Sequence, residues 1–356
     1  MGELREAAVT APVLFAVPES VDDPERVSGG NVYDTRIRDA LAAAGREVRM
    51  LRVPDLPGAL AQALGDAADG ALVLVDGLLV AREPEAAIAH ALRLRLVLLA
   101  HLAEPDPDDA RLAASRSARM IVATSEWTRT ELAAQGAADP GRIVVAHPGT
   151  DPAPATTASK DGGRLLCVGV VAPHKGQDLL VRALAGFADR PGWTCTVAGS
   201  LRADPGFADA LASVAGAAGI ADRVALPGVL TGDALERAYA NADLLVQPSR
   251  GESYGMAIAE AIAHGVPVLA TAVGGVGEAI PVRDAAMLVP PEDPWALHVV
   301  LQQWWSDPVR RGAAKAAALV ARSAGRSWAD AAAVIAAALS EAERVPAGAV
   351  RAGAAS

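Results

Sequence analysis

A chain of 356 residues is long enough for two domains of ordinary size, and its 52% apolar content is that of a soluble globular protein with cores of its own. A net charge of −10 argues against nucleic acid as the main partner, because neutralising phosphates is what supplies that affinity. Residues 1–155 carry 15 Arg against 23 Asp and Glu, which also argues against docking of this half on an anionic membrane, while the remainder is nearly balanced and better suited to a diphosphate.

Short apolar runs alternate with amphipathic or Ala-rich stretches along the chain, the pattern of parallel sheets covered by helices. In the first half, strands are predicted at Val13–Val17, Glu47–Leu51, Ala71–Val75, Leu96–Ala100, Met120–Ala123 and Ile143–Ala146. Helices are predicted near 32–44, 57–67, 84–93, 108–117 and 126–135, the last with Ser125 as its N-cap. The alternation breaks at 148–163, rich in Pro, Gly, Ser and Thr, which is the best linker in the sequence. It resumes with strands at Arg164–Val168, Thr194–Ala198, Val224–Leu226, Asp243–Gln247, Val266–Ala270 and Ala286–Val289. The helices between them fall near 176–188, 207–218, 232–240, 255–264 and 295–305. The tail, roughly 308–344, reads as helical and Ala-rich, with Trp304, Trp305 and Trp328 as packing anchors and a frayed end from Pro346. The fold class is therefore α/β: two doubly wound, Rossmann-like halves, 1–150 and 151–325, facing each other across a cleft at the carboxyl ends of their strands.

Several features narrow the chemistry by what they lack. Cys167 and Cys195 sit in apolar strand-like runs without His partners, so they read as small core residues in a reducing compartment and not as a metal site. The opening Met1–Glu6 is too acidic for a signal peptide, and the longest apolar stretch, Leu94 to Ala103, is interrupted by Arg95 and His101 and too short to cross a bilayer. A cytoplasmic protein is expected. Ser28-Gly29-Gly30 opens the first helix but is not the G-x-G-x-x-G fingerprint, which counts against a dehydrogenase. Asp106-Pro-Asp108 spells D-x-D, yet acidic residues at a helix start need no metal to explain them.

The most informative segment is Arg250-Gly-Glu-Ser-Tyr-Gly-Met-Ala-Ile-Ala-Glu260, followed by Gly265-Val-Pro-Val268. Glu252 falls in a Gly-flanked loop and Glu260 within the helix that follows, where a carboxylate among Ala257, Ile258, Ala261 and Ile262 needs a partner. Two such acceptors suit a polyhydroxylated ligand. The downstream Gly274-Gly275 pair is expected to leave backbone N–H groups open to a phosphate. Upstream, Val168-Gly-Val-Val-Ala-Pro-His-Lys-Gly176 places Lys175 at a strand-to-helix turn, well placed to hold a diphosphate. His101 ends a predicted strand and so should face the cleft, where an imidazole can hydrogen-bond a sugar hydroxyl or a reacting oxygen. His147, His174 and His264 lie in turns, with surface or hydrogen-bonding roles expected.

Together, the Glu252 and Glu260 spacing, Gly255 and the trailing Gly-x-Pro-Val resemble the E-x7-E signature of family 4 glycosyltransferases. That resemblance implies a GT-B fold whose last helix, 326–345, crosses back onto the first domain. It implies a retaining, metal-independent transfer of a hexosyl group from a nucleoside-diphosphate sugar to an acceptor hydroxyl, with no cofactor. It assigns Glu260 to the ribose hydroxyls, Glu252 to the donor sugar, Lys175 to the diphosphate, and the Gly29-Gly30 loop and His101 to the cleft, with Ser253, Tyr254, Gly255 and Met256 completing the donor site. It also exposes a departure: where the family carries a second phosphate-binding cation, this chain has Val170, so Arg202 or Arg250 is expected to supply the charge. The acceptor, whether a small molecule, a glycan or a lipid-linked sugar, belongs to the first half and is not readable. A non-catalytic sugar-nucleotide binder or partner subunit, or an epimerase of the same fold, are the alternatives.

Overall fold

The computed structural model describes residues 11–344, so the expectations for Met1–Glu6 and for the end beyond Pro346 lie outside the described residues. The first half forms one six-stranded parallel sheet from β1 (Val13–Pro18), β2 (Val48–Val53), β3 (Leu72–Asp76), β4 (Arg95–Ala100), β5 (Met120–Ala123) and β6 (Ile143–Val145), in the order β2-β1-β3-β4-β5-β6. Its helices are α1 (Gly29–Ala43), α2 (Ala59–Gly65), α3 (Gly77–Arg82), α4 (Pro84–His90), α5 (Asp109–Ser117) and α6 (Glu126–Ala134). The second half repeats the scheme with β7 (Arg164–Val168), β8 (Thr194–Ala198), β9 (Val224–Gly228), β10 (Leu244–Gln247), β11 (Val268–Thr271) and β12 (Ala286–Val289), ordered β12-β11-β10-β7-β8-β9 and again parallel. Around it lie α7 (Gln177–Ala185), α8 (Pro205–Ala217), α9 (Gly232–Asn241), α10 (Met256–Ala263), α11 (Pro294–Ser306), α12 (Pro308–Ala321) and α13 (Trp328–Arg344).

The predicted strands all form. The central ones are buried along their whole length, β3, β5, β10 and β11 without an exposed residue, which is why they read as continuous apolar runs and not as alternating ones. One boundary shifts for a plain reason: β11 starts at Val268, after Pro267, which has no N–H to give to a ladder. One helix was not legible. The six residues of α3 follow β3 at once, and Gly-Leu-Leu-Val reads as more strand until Asp76 caps it by accepting the Leu78 N–H at 2.7 Å. The helical tail consists of α12 and α13, separated at 322–327.

That break lets α13 return to the first sheet. Ala331, Ile335, Ala338 and Leu339 are buried against Val13, Phe15, Ile37 and Leu41, and the Trp328 ring meets the Tyr33 ring edge-on at 5.6 Å. Truncating a buried residue such as Ile335 to Ala would cost about 2–5 kcal/mol. The linker and the returning chain cross side by side, with Thr150 N–H bonded to the Arg326 carbonyl at 2.9 Å and no room on Gly149 for a Cβ beside Trp328. Residues 148–163 hold no regular element, yet they are tied down: the Thr156 hydroxyl bonds the carbonyls of Ala240 and Ala242, and Ser159 bonds Asp243. Trp304 and Trp305 both donate to the Gly162 carbonyl, at 2.8 and 3.1 Å, so they anchor the linker's end to α11. Cys167 and Cys195 are buried and unpaired in β7 and β8, where burial pushes the Cys167 thiol up to about 12.

Candidate functional site

A cavity of about 320 Å³ lies between the two sheets, lined from both. It sits where each sheet reverses its strand order, with Val168, Gly169 and Gln247 at the ends of β7 and β10 and Gly29, Gly30 and Leu78 beyond β1 and β3, the place where an open parallel sheet leaves a crevice.

The second-half wall is built around α10. Gly255 precedes it at φ +100°, a conformation that suits glycine, and supplies no side-chain cap. No acidic residue occupies its first turn, so the helix presents its positive end to the cavity uncompensated. Glu252, in the loop before it, accepts from Lys175 Nζ at 2.7 Å and from the Ser249 hydroxyl at 3.3 Å, both through Oε2. Oε1 of Glu252 has no partner among the described residues. Glu260 behaves alike: Oε2 accepts from the Tyr239 hydroxyl at 2.8 Å, and Oε1 is left over. Burial raises the Glu260 pKa, against the hydrogen bond from Tyr239, so its free oxygen is a strong acceptor site that wants a donor. Both carboxylates line the cavity, as do Lys175, Ser253, Tyr254, Gly255 and Met256.

The first-half wall comes from several loops. Ser28 caps α1 through the Asn31 N–H, and Gly29 and Gly30 form the helix's first residues. A Cβ on Gly30 would approach His101 Cδ2 at 3.3 Å, and one on Gly29 would face Met256 Sδ at 3.5 Å, so these glycines let α1 come close to both walls. Met256 itself packs against the cores of both halves. His101 Nε2 lies 2.9 Å from Asp34 Oδ1 and 4.0 Å from Asp76 Oδ2, and the Tyr33 ring meets it edge-on at 5.4 Å. Asp34 and Asp76 are fully buried, and each has an Oδ2 without a hydrogen-bond partner. Burial opposes charge on His101, but Asp34, by charge and hydrogen bond, and Asp76 raise its pKa to about 9. Burial and the neighbouring Asp34 charge raise Asp76 to about 7, although His101 pulls the other way. At neutral pH His101 therefore carries its proton, while Asp76 lies between its charged and neutral forms. The ligand-type atoms of Asp34, Asp76 and His101 lie within 4.8 Å of one another, and this is the trio among the described residues that could together reach one cation.

The structure does not bring every expected residue to the cavity. Arg250 is held away from it by both oxygens of Asp178, at 2.8 and 3.0 Å, and by Glu292 and the Pro173 carbonyl. Arg202 is exposed on the rim, 3.5 Å from Glu25. Lys175 is therefore the one lysine or arginine lining the cavity among the described residues, and Val170 lines it without replacement. The Gly274-Gly275 expectation is corrected: the Gly275 N–H bonds the Glu252 carbonyl at 2.9 Å, and a Cβ on either glycine would overlap the backbone of Glu252 or Ser253. The pair supports the acidic loop from below. His174 is exposed, and it lines the cavity. His264 is buried between Glu236 and the Glu260 carbonyl, and His147 bonds Glu278 at 2.8 Å. Asp108 accepts the Arg111 N–H as the cap of α5, and Ser125 caps α6 as expected.

Three participants escaped sequence reasoning: Asp34, Asp76 and Tyr239. The last two carried a faint signal, an Asp at a strand's carboxyl end and a Tyr one helix before a lone buried Glu.

Residues 162–307 match the family described as Glycosyl transferases group 1. A D-inositol 3-phosphate glycosyltransferase of Kineococcus radiotolerans is 32% identical over 239 residues, covering 60% of this chain and 54% of that protein, so the chain spans about half the length of the curated relatives it matches. Among solved structures, HepE of Anabaena in complex with UDP-glucose superposes with a TM-score of 0.75 at 20% identity, over 92% of this chain and 99% of HepE. A trehalose-6-phosphate synthase, studied for glycosyl transfer with retention, superposes with a TM-score of 0.70 at 12% identity, over 93% and 99%. The two-domain GT-B fold is that of these structures.

Proposed function

We propose that the chain is a retaining glycosyltransferase that moves a hexosyl group from a nucleoside-diphosphate sugar to an acceptor hydroxyl, without a metal or other cofactor. The observation that carries this reading is the wall around α10: two carboxylates, each tied to the protein by one oxygen and free at the other, flank an uncapped helix N-terminus beside Lys175. Glu260 takes the ribose hydroxyls, and Glu252 takes hydroxyls of the donor sugar. The diphosphate lies against the N-termini of α10 and α1, with Lys175 countering its charge. Transfer breaks the bond between the sugar's anomeric carbon and the diphosphate oxygen and forms one from that carbon to the acceptor oxygen. The acceptor oxygen attacks from the face that the phosphate leaves, which gives retention, and its proton passes to the departing phosphate oxygen. Preorganised charge at the leaving oxygen is the main contribution asked of the protein, and His101 as an imidazolium is a hydrogen-bond donor on the opposite wall. The family match and the glycosyltransferase relative support transfer chemistry, and the trehalose-6-phosphate synthase likeness supports retention. The free thiols of Cys167 and Cys195 fit a cytoplasmic setting, and no helix among the described residues is long and apolar enough to cross a membrane.

The test is a thermal-shift panel with UDP, GDP, ADP, TDP and NAD on the wild type and Glu260→Ala. UDP is the first candidate, since HepE is seen with UDP-glucose. One nucleoside diphosphate should raise the melting temperature, the rise should vanish in Glu260→Ala, and EDTA should leave turnover unchanged. A shift by NAD alone would defeat the reading. A second reading, a binder without turnover, draws on Val170: the cavity holds one lysine, already paired with Glu252. It predicts the same nucleotide shift with no release of nucleoside diphosphate from any donor.

A further inference from the structure

The acceptor half of the cavity has a chemical character of its own. Its first-half wall presents Val27, Val32, Leu78 and Leu102, and no lysine or arginine among its described residues. Leu78 and Leu102 are 43% and 46% exposed, and of the large apolar side chains exposed in the first half, Leu56, Ile88 and Leu92 included, these two line the cavity. A second, smaller chamber of about 70 Å³ shares Leu78, His101 and Leu102 with this cavity and lies between α3, β4 and α5. Its lining is mostly apolar, with Val80, Leu98, Leu112 and Leu132, and includes the polar Glu104, Arg111, Ser115 and Gln135. That is room for a small apolar group and several times what a single water needs.

The charges at this end are already matched. Arg111, at the chamber's mouth, donates to the Ala81 carbonyl at 2.9 Å and pairs with Asp108 at 3.2 Å and Glu104 at 3.3 Å. His101 faces Asp34 and Asp76, two carboxyl groups to one imidazole ring. A phosphorylated acceptor would meet no uncompensated cation here and would sit next to buried carboxylates, which costs binding. An alkyl or aryl group would instead cover two exposed leucines and fill a mostly apolar chamber.

We propose that the acceptor is an uncharged hydroxyl compound whose apolar group, next to the reacting hydroxyl, lodges between Leu78 and Leu102 and reaches into the chamber behind them. This rests on the glycosyltransferase reading, and it separates this chain from the relative named for D-inositol 3-phosphate, since a phosphate has no counterpart on this wall.

The experiment measures nucleoside-diphosphate release from the donor identified by the thermal-shift panel. The full chain is given glucose, methyl glucoside, octyl glucoside, glucose 6-phosphate or inositol 3-phosphate as acceptor. Octyl glucoside should exceed methyl glucoside by roughly tenfold or more in kcat/KM, the discrimination an apolar pocket gives for added methylenes. Both phosphorylated compounds should stay near the acceptor-free rate. Ala81→Phe, which fills the chamber, should erase the octyl preference, and Leu102→Arg should raise the rate with the phosphorylated acceptors; nucleotide thermal shifts report that each variant is folded. A wild-type preference for glucose 6-phosphate or inositol 3-phosphate overturns the inference, as does an octyl preference that survives Ala81→Phe in a folded variant. If no donor is turned over and no nucleotide shifts the melting temperature, the glycosyltransferase reading fails first and takes this one with it.

Discussion

The two walls of the cavity are assembled alike and differ in charge. The second-half wall takes Glu252–Ala257 and Glu260 from one run, and the rest from the ends of β7, β8 and β10 and the stretches that follow β7 and β9. The first-half wall takes most of its residues from 27–33, at the start of α1, and adds Leu78, His101, Leu102 and Thr124 from beyond β3, β4 and β5. Charge is what divides them. One wall has carboxylate oxygens left open to the cavity beside a lysine, while the other has its charges closed upon each other and apolar side chains left open. A wall that must hold a shared ligand feature, a nucleoside diphosphate, can be written in a short motif. A wall that fits one particular acceptor has no such constraint.

The largest expected effect tests the polar wall. Lys175→Ala and Glu252→Ala should each lower kcat by about 10²–10³, the loss seen when one preorganised charge or donor at a reacting oxygen is removed. Because the two side chains bond each other at 2.7 Å, the losses should not add: the double variant should be little worse than either single one. Steady-state rates with saturating donor decide this. Full additivity would show that the residues act on separate steps and that the pair has no joint role.

How much of this was legible follows from the same asymmetry. The strands were readable because they form short apolar runs, buried throughout in Met120–Ala123 and partly open in Ala286–Val289, and these two, Arg164–Val168 and Thr194–Ala198 match to the residue. Glu252, Glu260 and Lys175 were readable because polar residues interrupt apolar or glycine-rich stretches at fixed spacing. Asp34 was not: it sits on α1 amid charged neighbours, and only the third dimension brings it 2.9 Å from His101, 67 residues away. Arg250 was misjudged for the same reason, since nothing local marks Asp178 and Glu292 as its partners. Gly274-Gly275 was taken for an anion nest, but close backbone packing explains a glycine pair equally well, and here it is the explanation.

The middle effect tests the closed charges of the first wall through pH. His101 has its folded pKa raised from 6.5 to about 9, and Asp76 from 3.8 to about 7, so both bind protons more tightly folded than unfolded. A group raised in the folded state contributes stability that is fully present below its unfolded pKa and lost as pH climbs through the folded one. The cluster's contribution should therefore fall from about pH 4 to 7 through Asp76 and from about pH 6.5 to 9 through His101. Asp34→Asn removes the main charge that holds the imidazolium. It should move the alkaline fall in melting temperature, and the alkaline limb of activity, to lower pH. Identical limbs in wild type and variant would mean that His101 is neutral across this range.

The smallest effect concerns the tie between the walls. Glu278, from the loop between β11 and β12, accepts the N–H groups of Glu126 and Trp127 at 2.7 and 2.9 Å, and His147 Nε2 at 2.8 Å. Ser125 already satisfies the Thr128 N–H at the same helix end. The second half thus supplies to α6 the acceptors that its own cap does not reach, and a carboxylate there also meets the positive end of the helix dipole. The side chain is 23% exposed, so removing it in Glu278→Ala should cost only about 1–2 kcal/mol, a few degrees of melting temperature. Its main consequence should be geometric. With the tie gone, the unliganded chain should show a larger radius of gyration by solution scattering, and nucleoside diphosphate, by drawing the walls together, should restore the wild-type value. A radius of gyration unchanged in the variant would show that α13 alone holds the halves in place. The closing of the cavity would then be a property of the returning helix and its contacts with β3 to β6, with Glu278 reduced to a helix cap that happens to come from across the cleft.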